Sequence, residues 1–128
     1  MRLLLDTHAF LWWIFDDPRL SSTARTLIAD PSAEILFSVV SAWEIAIKYA
    51  SGRLPLPQRP ELFVPYVRNA SEIESLEIDE ESAFLAGKLP RFHPDPFDRM
   101  LIAQAIVQGM TILTPDPEIG KYSVRVLW

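Results

Sequence analysis

The feature that most constrains this chain is a recurring pair of patterns. A short apolar run stops at a polar or acidic residue, and a stretch with apolar residues at helical spacing follows. Residues 2–5 (RLLL) stop at Asp6 and give way to THAFLWWIF over residues 7–15. Residues 35–40 (ILFSVV) lead into SAWEIAIKYASG, and residues 111–114 (TILT) end at the PDP turn that holds Asp116. Residues 75–78 and 124–127 are shorter runs of the same kind. Runs this short and this apolar suit strands covered on both faces, and parallel neighbours require crossover connections such as the intervening helices. The pattern therefore predicts an α/β fold in three layers: a mainly parallel central sheet of four to five strands with helices on both faces.

Turn and cap signals divide the rest. Asp17-Pro18 marks a turn, and Ser21 or Ser22 caps a short helix ending near Asp30-Pro31. Ser41 is expected to open a helix that Gly52 closes. LPLPQRP is a short proline-rich loop, too brief for a linker, so residues 1–128 form one domain. Residues 61–69 read as helical, with Pro65 expected to kink that helix or shift its start. Asp79 caps a helix that runs to about Lys88 and is ended by Pro90. Asp95 caps the next, Pro96 fits its first turn, and Gly109 closes it.

Composition narrows the function classes. With 128 residues, 49% of them apolar, the chain can bury one real core. It has no cysteine, which excludes disulfides and thiolate metal sites and fits a reducing compartment. The apolar opening segment is broken by Asp6 and His8, lacks a small-residue cleavage site and is too short to span a bilayer. The expectation is a cytoplasmic protein. A net charge of −5 argues against binding nucleic acid through bulk charge, yet it leaves room for a nuclease whose local field is reversed by metal. The acids between Glu72 and Glu81 read as a solvated helix start, or else as a docking face for a basic partner.

Four other acids carry the chemistry. In open parallel sheets, ligands bind beyond the carboxyl ends of the strands. Asp6 directly follows the first strand, and Asp116 follows the Thr111–Thr114 strand by two residues. Glu44 is expected in the first turn of the helix after the second strand, and Asp98 lies in the first turn of the late helix. Each has a structural alternative. Ser41-x-x-Glu44 reads as a capping box, Asp98 as a favourable charge at a helix N-terminus, and Asp116 as a turn residue. Asp6, between LLL and an apolar helix, is hardest to explain without a function. Two carboxylates about 4 Å apart repel by roughly 4 kcal/mol at an effective dielectric of 20. Several such pairs need a cation, and oxygen ligands suit Mg²⁺ or Mn²⁺.

The blocks LLLDTHAFLWW, SAWEIAIK, HPDPFDRMLIAQA and ILTPD, in this order, resemble the PIN-domain ribonucleases, in particular the VapC-type toxins of toxin–antitoxin pairs. The resemblance covers nearly the whole chain. It implies that Asp6, Glu44, Asp98 and Asp116 are the catalytic and metal-holding acids, with Thr7 and Thr114 the hydroxyls that hold them. It implies Mg²⁺-dependent hydrolysis of RNA phosphodiesters, a cognate antitoxin and a homodimer. Pro94 beside His93 departs from the polar or basic residue expected there, and His93 is read as a surface histidine. Lys48 and Arg99 stand near acids where either can meet a phosphate; an ion pair with Glu44 is the alternative for Lys48.

Two rival readings differ in class. A phosphoacceptor receiver domain also gathers acids at strand ends around Mg²⁺, but it needs an acidic pair after the first strand and a lysine after the fifth. Here Asp6 stands alone, and the last strand runs towards Trp128 without such a lysine loop. A PIN fold that only binds a partner would have no need of the four acids. Adjacent Trp12 and Trp13 cannot both face one core direction on a helix, so one is expected to be exposed or at an interface with antitoxin or a second copy.

Overall fold

The computed structural model describes residues 1–128. Its elements run β1 (Arg2–Leu5), α1 (Thr7–Ile14), α2 (Ser22–Ala29), β2 (Glu34–Ser38), α3 (Val39–Ala50), α4 (Pro60–Ala70), β3 (Glu74–Leu76), α5 (Glu80–Lys88), α6 (Pro96–Gln108), β4 (Thr111–Leu113), a 3₁₀ turn (Ile119–Lys121) and β5 (Val126–Leu127). The five strands form one sheet in the order β3-β2-β1-β4-β5, and every pairing is parallel.

Alternation along the strands sorts the core onto two faces. Leu3, Leu5, Ile35, Phe37 and Leu113 point to one side, where they meet Ala9 and Phe10 of α1, Ile28 of α2, Ile45 of α3 and Phe63 and Val64 of α4. Phe10 stacks on Phe37 with ring centroids 3.9 Å apart. Leu4, Leu36 and Ile112 point to the other side, against Leu101, Ile102 and Ala105 of α6 and Leu89 at the end of α5. This is the expected three-layer arrangement. The strand order reverses at β1 and β4: the chain first builds outwards through β2 and β3, then returns to the far side of β1. The carboxyl ends of β1 and β4 thus flank the topological switch point, where such sheets form their crevice.

Several boundaries differ from expectation. β2 ends at Ser38 and α3 begins at once with Val39, so Val39 and Val40 belong to the helix although they continue an apolar, β-branched run. Ser38, not Ser41, is the cap: its Oγ accepts the Val40 N–H at 3.1 Å and donates to Gln104 Oε1 at 2.7 Å. The Ser41–Glu44 capping box does not form. Ser41 is buried inside the helix with its hydroxyl unpaired, and Glu44 sits in the second turn. Helix α4 contains Pro65 yet starts earlier than expected, at Pro60, and tolerates the N–H that Pro65 lacks. β3 and β5 are shorter than the apolar runs that announced them.

The two tryptophans are also corrected. Both are half-buried, and neither is an exposed patch. Trp13 Nε1 donates to Ser71 Oγ at 3.4 Å, while Trp12 packs edge-on against Trp128 and lies under the Arg19 guanidinium at 4.8 Å. The most exposed large rings are instead Trp43, Tyr66 and Phe84. The acidic stretch from Glu72 to Glu81 is solvated: every acid in it is exposed.

Candidate active site

Asp6 follows β1 and caps α1, its Oδ1 accepting the Ala9 N–H at 2.7 Å. Its other oxygen accepts the Thr114 hydroxyl at 2.5 Å. Thr114 stands just after β4, so this bond ties together the carboxyl ends of two neighbouring central strands. The same hydroxyl oxygen accepts the Asp116 N–H at 3.1 Å, which places the second strand-end acid. Glu44 reaches the same place from α3. Its Oε1 accepts the Thr7 hydroxyl at 2.6 Å and its Oε2 the Lys48 ammonium at 2.7 Å. Lys48 therefore makes the expected ion pair. Asp6 and Glu44 are both buried.

Asp98 stands in the first turn of α6, after the cap Asp95, whose Oδ1 accepts the Phe97 N–H at 2.8 Å. Asp98 Oδ2 lies 2.9 Å from His93 Nε2, and Asp116 Oδ2 lies 3.1 Å from the same nitrogen. His93 is not the surface residue expected: its side chain is only 12% exposed. The cause lies far away in sequence. The His93 N–H donates to the Tyr122 hydroxyl at 2.9 Å, and that hydroxyl donates to the Pro90 carbonyl at 2.7 Å. The HPDP loop is thereby pinned against the turn after β4, with its imidazole inside. Sequence reasoning missed this residue; the available signal was a histidine held by Pro94 and Pro96 on a short conformational leash before Asp98. Arg99 is corrected too. Its guanidinium donates to the carbonyls of Ala86, Leu89 and Pro90 at 2.8–3.0 Å, so it ties the loop to α5 and is not free for a phosphate.

All four predicted acids, with Thr7, His8, Lys48, His93, Asp95 and Pro115, line one cavity of about 240 Å³, in which the proline is the one apolar side chain. The cluster is electrostatically strained. Burial pushes the Asp6 carboxyl up from its ordinary range, against the opposing Thr114 and Ala9 hydrogen bonds. Burial raises Asp98 to about 7, aided by the Asp95 charge, opposed by His93, and raised further by Asp6 and Glu44.

These residues fit a hard divalent ion. The nearest donors are carboxylate oxygens, and the ligand atoms of His93, Asp98 and Asp116 lie within 4.8 Å of one another. Donors about 2.1 Å from an octahedral ion and at right angles stand about 3.0 Å apart, close to the spacings around His93. A dication there would also favour the charged form of Asp98, which burial first and the neighbouring acids second disfavour. Asp6 and Glu44 are buried, and all four of their carboxylate oxygens accept hydrogen bonds from the protein. Asp116 is more exposed, but its Oδ1 accepts the Glu118 N–H at 2.9 Å, which leaves Asp98, with only the His93 contact, as the least engaged of the four.

The chain has recognisable relatives. The PIN domain family model matches residues 3–124. Ribonuclease VapC22 of Mycobacterium tuberculosis is 30% identical over 125 residues, covering 94% of this chain and 91% of the relative. Ribonuclease VapC16 of the same organism is 44% identical over 52 residues, covering 38% of this chain and 37% of the relative. Among solved structures, VapBC2 from Rickettsia felis, bound to a DNA fragment from its promoter, superposes with a TM-score of 0.74 at 16% identity, covering 100% of this chain and 99% of that one. DNA-bound VapBC from Salmonella typhimurium superposes at 0.66 with 18% identity, covering 99% and 97%. With the family model spanning nearly its whole length, this chain belongs to the PIN-domain family.

Proposed function

We propose that the chain is a metal-dependent endoribonuclease, the toxin of a toxin–antitoxin pair, working in the cytoplasm on RNA. The observation that carries the reading is the convergence of acids from four separate parts of the chain on one acid-lined cavity at the switch point of the sheet. Similarity to a ribonuclease over nearly the whole chain supports the same activity. Structural neighbours that are VapBC assemblies support a protein antitoxin.

In this reading Asp98 and Asp116 hold Mg²⁺ or Mn²⁺ at the open side of the cluster, with Asp6 behind them. When bound, such an ion would lower the pKa of a water and offset charge developing on the phosphoryl oxygens. Asp116 is the more exposed of the two and would orient the attacking water beside the ion. Glu44 is a positioning residue: fixed between Thr7 and Lys48, it holds the Lys48 ammonium at the cavity wall. Trp43, 61% exposed, and Tyr66, 73% exposed, supply apolar surface for the antitoxin or a second copy in a homodimer.

The test is cleavage of labelled RNA by the purified chain with Mg²⁺ or Mn²⁺ and with chelator. Cleavage that needs the ion, and that disappears in Asp6→Asn while the fold is kept, is the expected result. Cleavage that persists in chelator, or none with any dication, overturns the reading.

A further inference from the structure

We propose that a second cavity, beside the acidic one, receives one nucleotide of the substrate strand next to the phosphate being cut. This rests on the reading that the site cleaves RNA. The cavity holds about 280 Å³ and is walled by His8, Trp12, Arg19, Lys48, Arg53 and Leu54, among others. Thr7, His8 and Lys48 line both cavities, so a chain lying in one continues into the other. The volume is near the lower bound of pockets that hold small ligands, about 300 Å³, which suits a single nucleotide and not a duplex.

Charge and ring surface point the same way. In a chain of net charge −5, this wall gathers Arg19, Lys48 and Arg53 against one acid, Asp17. Arg19 is spoken for by Asp17, at 2.8 Å, and Lys48 by Glu44. Arg53 is different: its guanidinium donates only to the Ser51 hydroxyl, at 2.9 Å, and forms no ion pair. An exposed, unpaired guanidinium at the mouth of a nuclease site is a phosphate contact. The rings form a ladder one helical turn apart on α1. His8 is exposed, tilted 31° from Trp12 with centroids 5.5 Å apart, and the Arg19 guanidinium lies over the Trp12 ring. Unpaired bases stack on imidazole, indole and guanidinium planes of this kind. His8 thus stacks the base, with Trp12 and Arg19 as its backing, and Arg53 takes the flanking phosphate.

The experiment uses the full chain with Mn²⁺ and a fluorescein-labelled single-stranded RNA of mixed sequence, plus versions trimmed by one nucleotide on either side of the mapped cut. Arg53→Ala and His8→Ala are compared with the wild type and with Arg53→Lys. Both residues are exposed, so the melting temperature should hold. The expected result is a KM raised roughly tenfold, kcat within about twofold, and unchanged Mn²⁺ affinity. Arg53→Lys should recover part of the loss, and one trimmed RNA should be cut equally by wild type and variants. If the wild type cuts RNA and the variants match it in KM on every substrate, the subsite is wrong and the ribonuclease reading stands. If kcat and Mn²⁺ affinity fall as KM rises, these residues belong to the metal site and the subsite is again wrong. If the wild type cuts no RNA, both readings fall.

Discussion

The two halves of the acidic cavity are built differently. On one side, Asp6 and Glu44 are buried, and each of their oxygens accepts a bond from Ala9, Thr114, Thr7 or Lys48. On the other, Asp98 and Asp116 share a single imidazole nitrogen, Asp116 Oδ1 also accepts the Glu118 N–H at 2.9 Å, and their side chains are 19% and 32% exposed. The first half joins β1, β4, α1 and α3 at the switch point of the sheet. The second hangs on a proline-bracketed loop and a turn. Residues with the same charge thus divide between framework and open ligand, and burial with hydrogen bonding decides which is which. Substitutions in the two halves should move activity together and stability in opposite directions.

The largest effect is expected on the open side. Asp98→Asn removes a ligand to the ion and should cut RNA cleavage by more than roughly 100-fold, the upper cost of losing a partner that only supports a metal ligand. It should also raise the melting temperature of the metal-free protein near pH 8, because it removes a carboxylate that the fold disfavours in its charged form. A fall in metal-free stability would place Asp98 in the framework and dissolve the distinction.

On the framework side, Thr114→Val removes the hydroxyl that serves Asp6 and positions Asp116. Leaving a buried carboxylate oxygen without its donor costs about 1–3 kcal/mol. Thermal unfolding should therefore shift down by several degrees, and activity should fall with it. An unchanged melting temperature would show that the Asp6–Thr114 bond does not stabilise the sheet edge.

The pH dependence reads the cost of the buried acids without mutation, since burial raises both Asp6 and Asp98, and Asp98→Asn isolates the share of the open side. Asp98 titrates near 7 in the folded chain against an ordinary 3.8. Between these values the folded state binds more protons than the unfolded state, so metal-free stability falls as pH rises from about 4 to about 7. Below that window the contribution is fully present. Saturating Mn²⁺ should flatten the slope, and Asp98→Asn should remove this component. Unfolding scans across the window, with and without Mn²⁺, measure it directly.

The smallest effect concerns His93. Its charge holds Asp98 down, so His93→Ala should move the Asp98 midpoint further up while Asp6 keeps its hydrogen bonds. Carboxyl NMR titration reads both shifts. A midpoint that stays put or falls would mean that the imidazole does not face Asp98 in solution.

How much of this could be read beforehand follows from which contacts are local. Asp6, Asp98 and Asp116 announced themselves because each interrupts or opens an apolar pattern within a few residues. The α/β alternation was legible for the same reason. Glu44 was found, but its local alternative, the Ser41 capping box, lost to a bond from Thr7, 37 residues away, and the residue lies in the second turn instead of the first. The start of α3 was misplaced because Val39 and Val40 carry strand-like side chains on helical backbone. His93 and the tryptophans were misread because their partners, Tyr122, Ser71 and Trp128, come from remote parts of the chain. Arg99 followed an acid and looked free, whereas three carbonyls from the end of α5 and the loop after it claim it.

The central claim is that the open pair holds the ion used for cleavage. Calorimetric titration of Mn²⁺ into the wild type, Asp98→Asn and Asp116→Asn, each checked for folding, tests it most directly. The account requires saturable binding in the wild type that is lost or greatly weakened in both folded variants, in step with their loss of RNA cleavage. Mn²⁺ binding that is unchanged in both variants, or cleavage that survives in them, would contradict it.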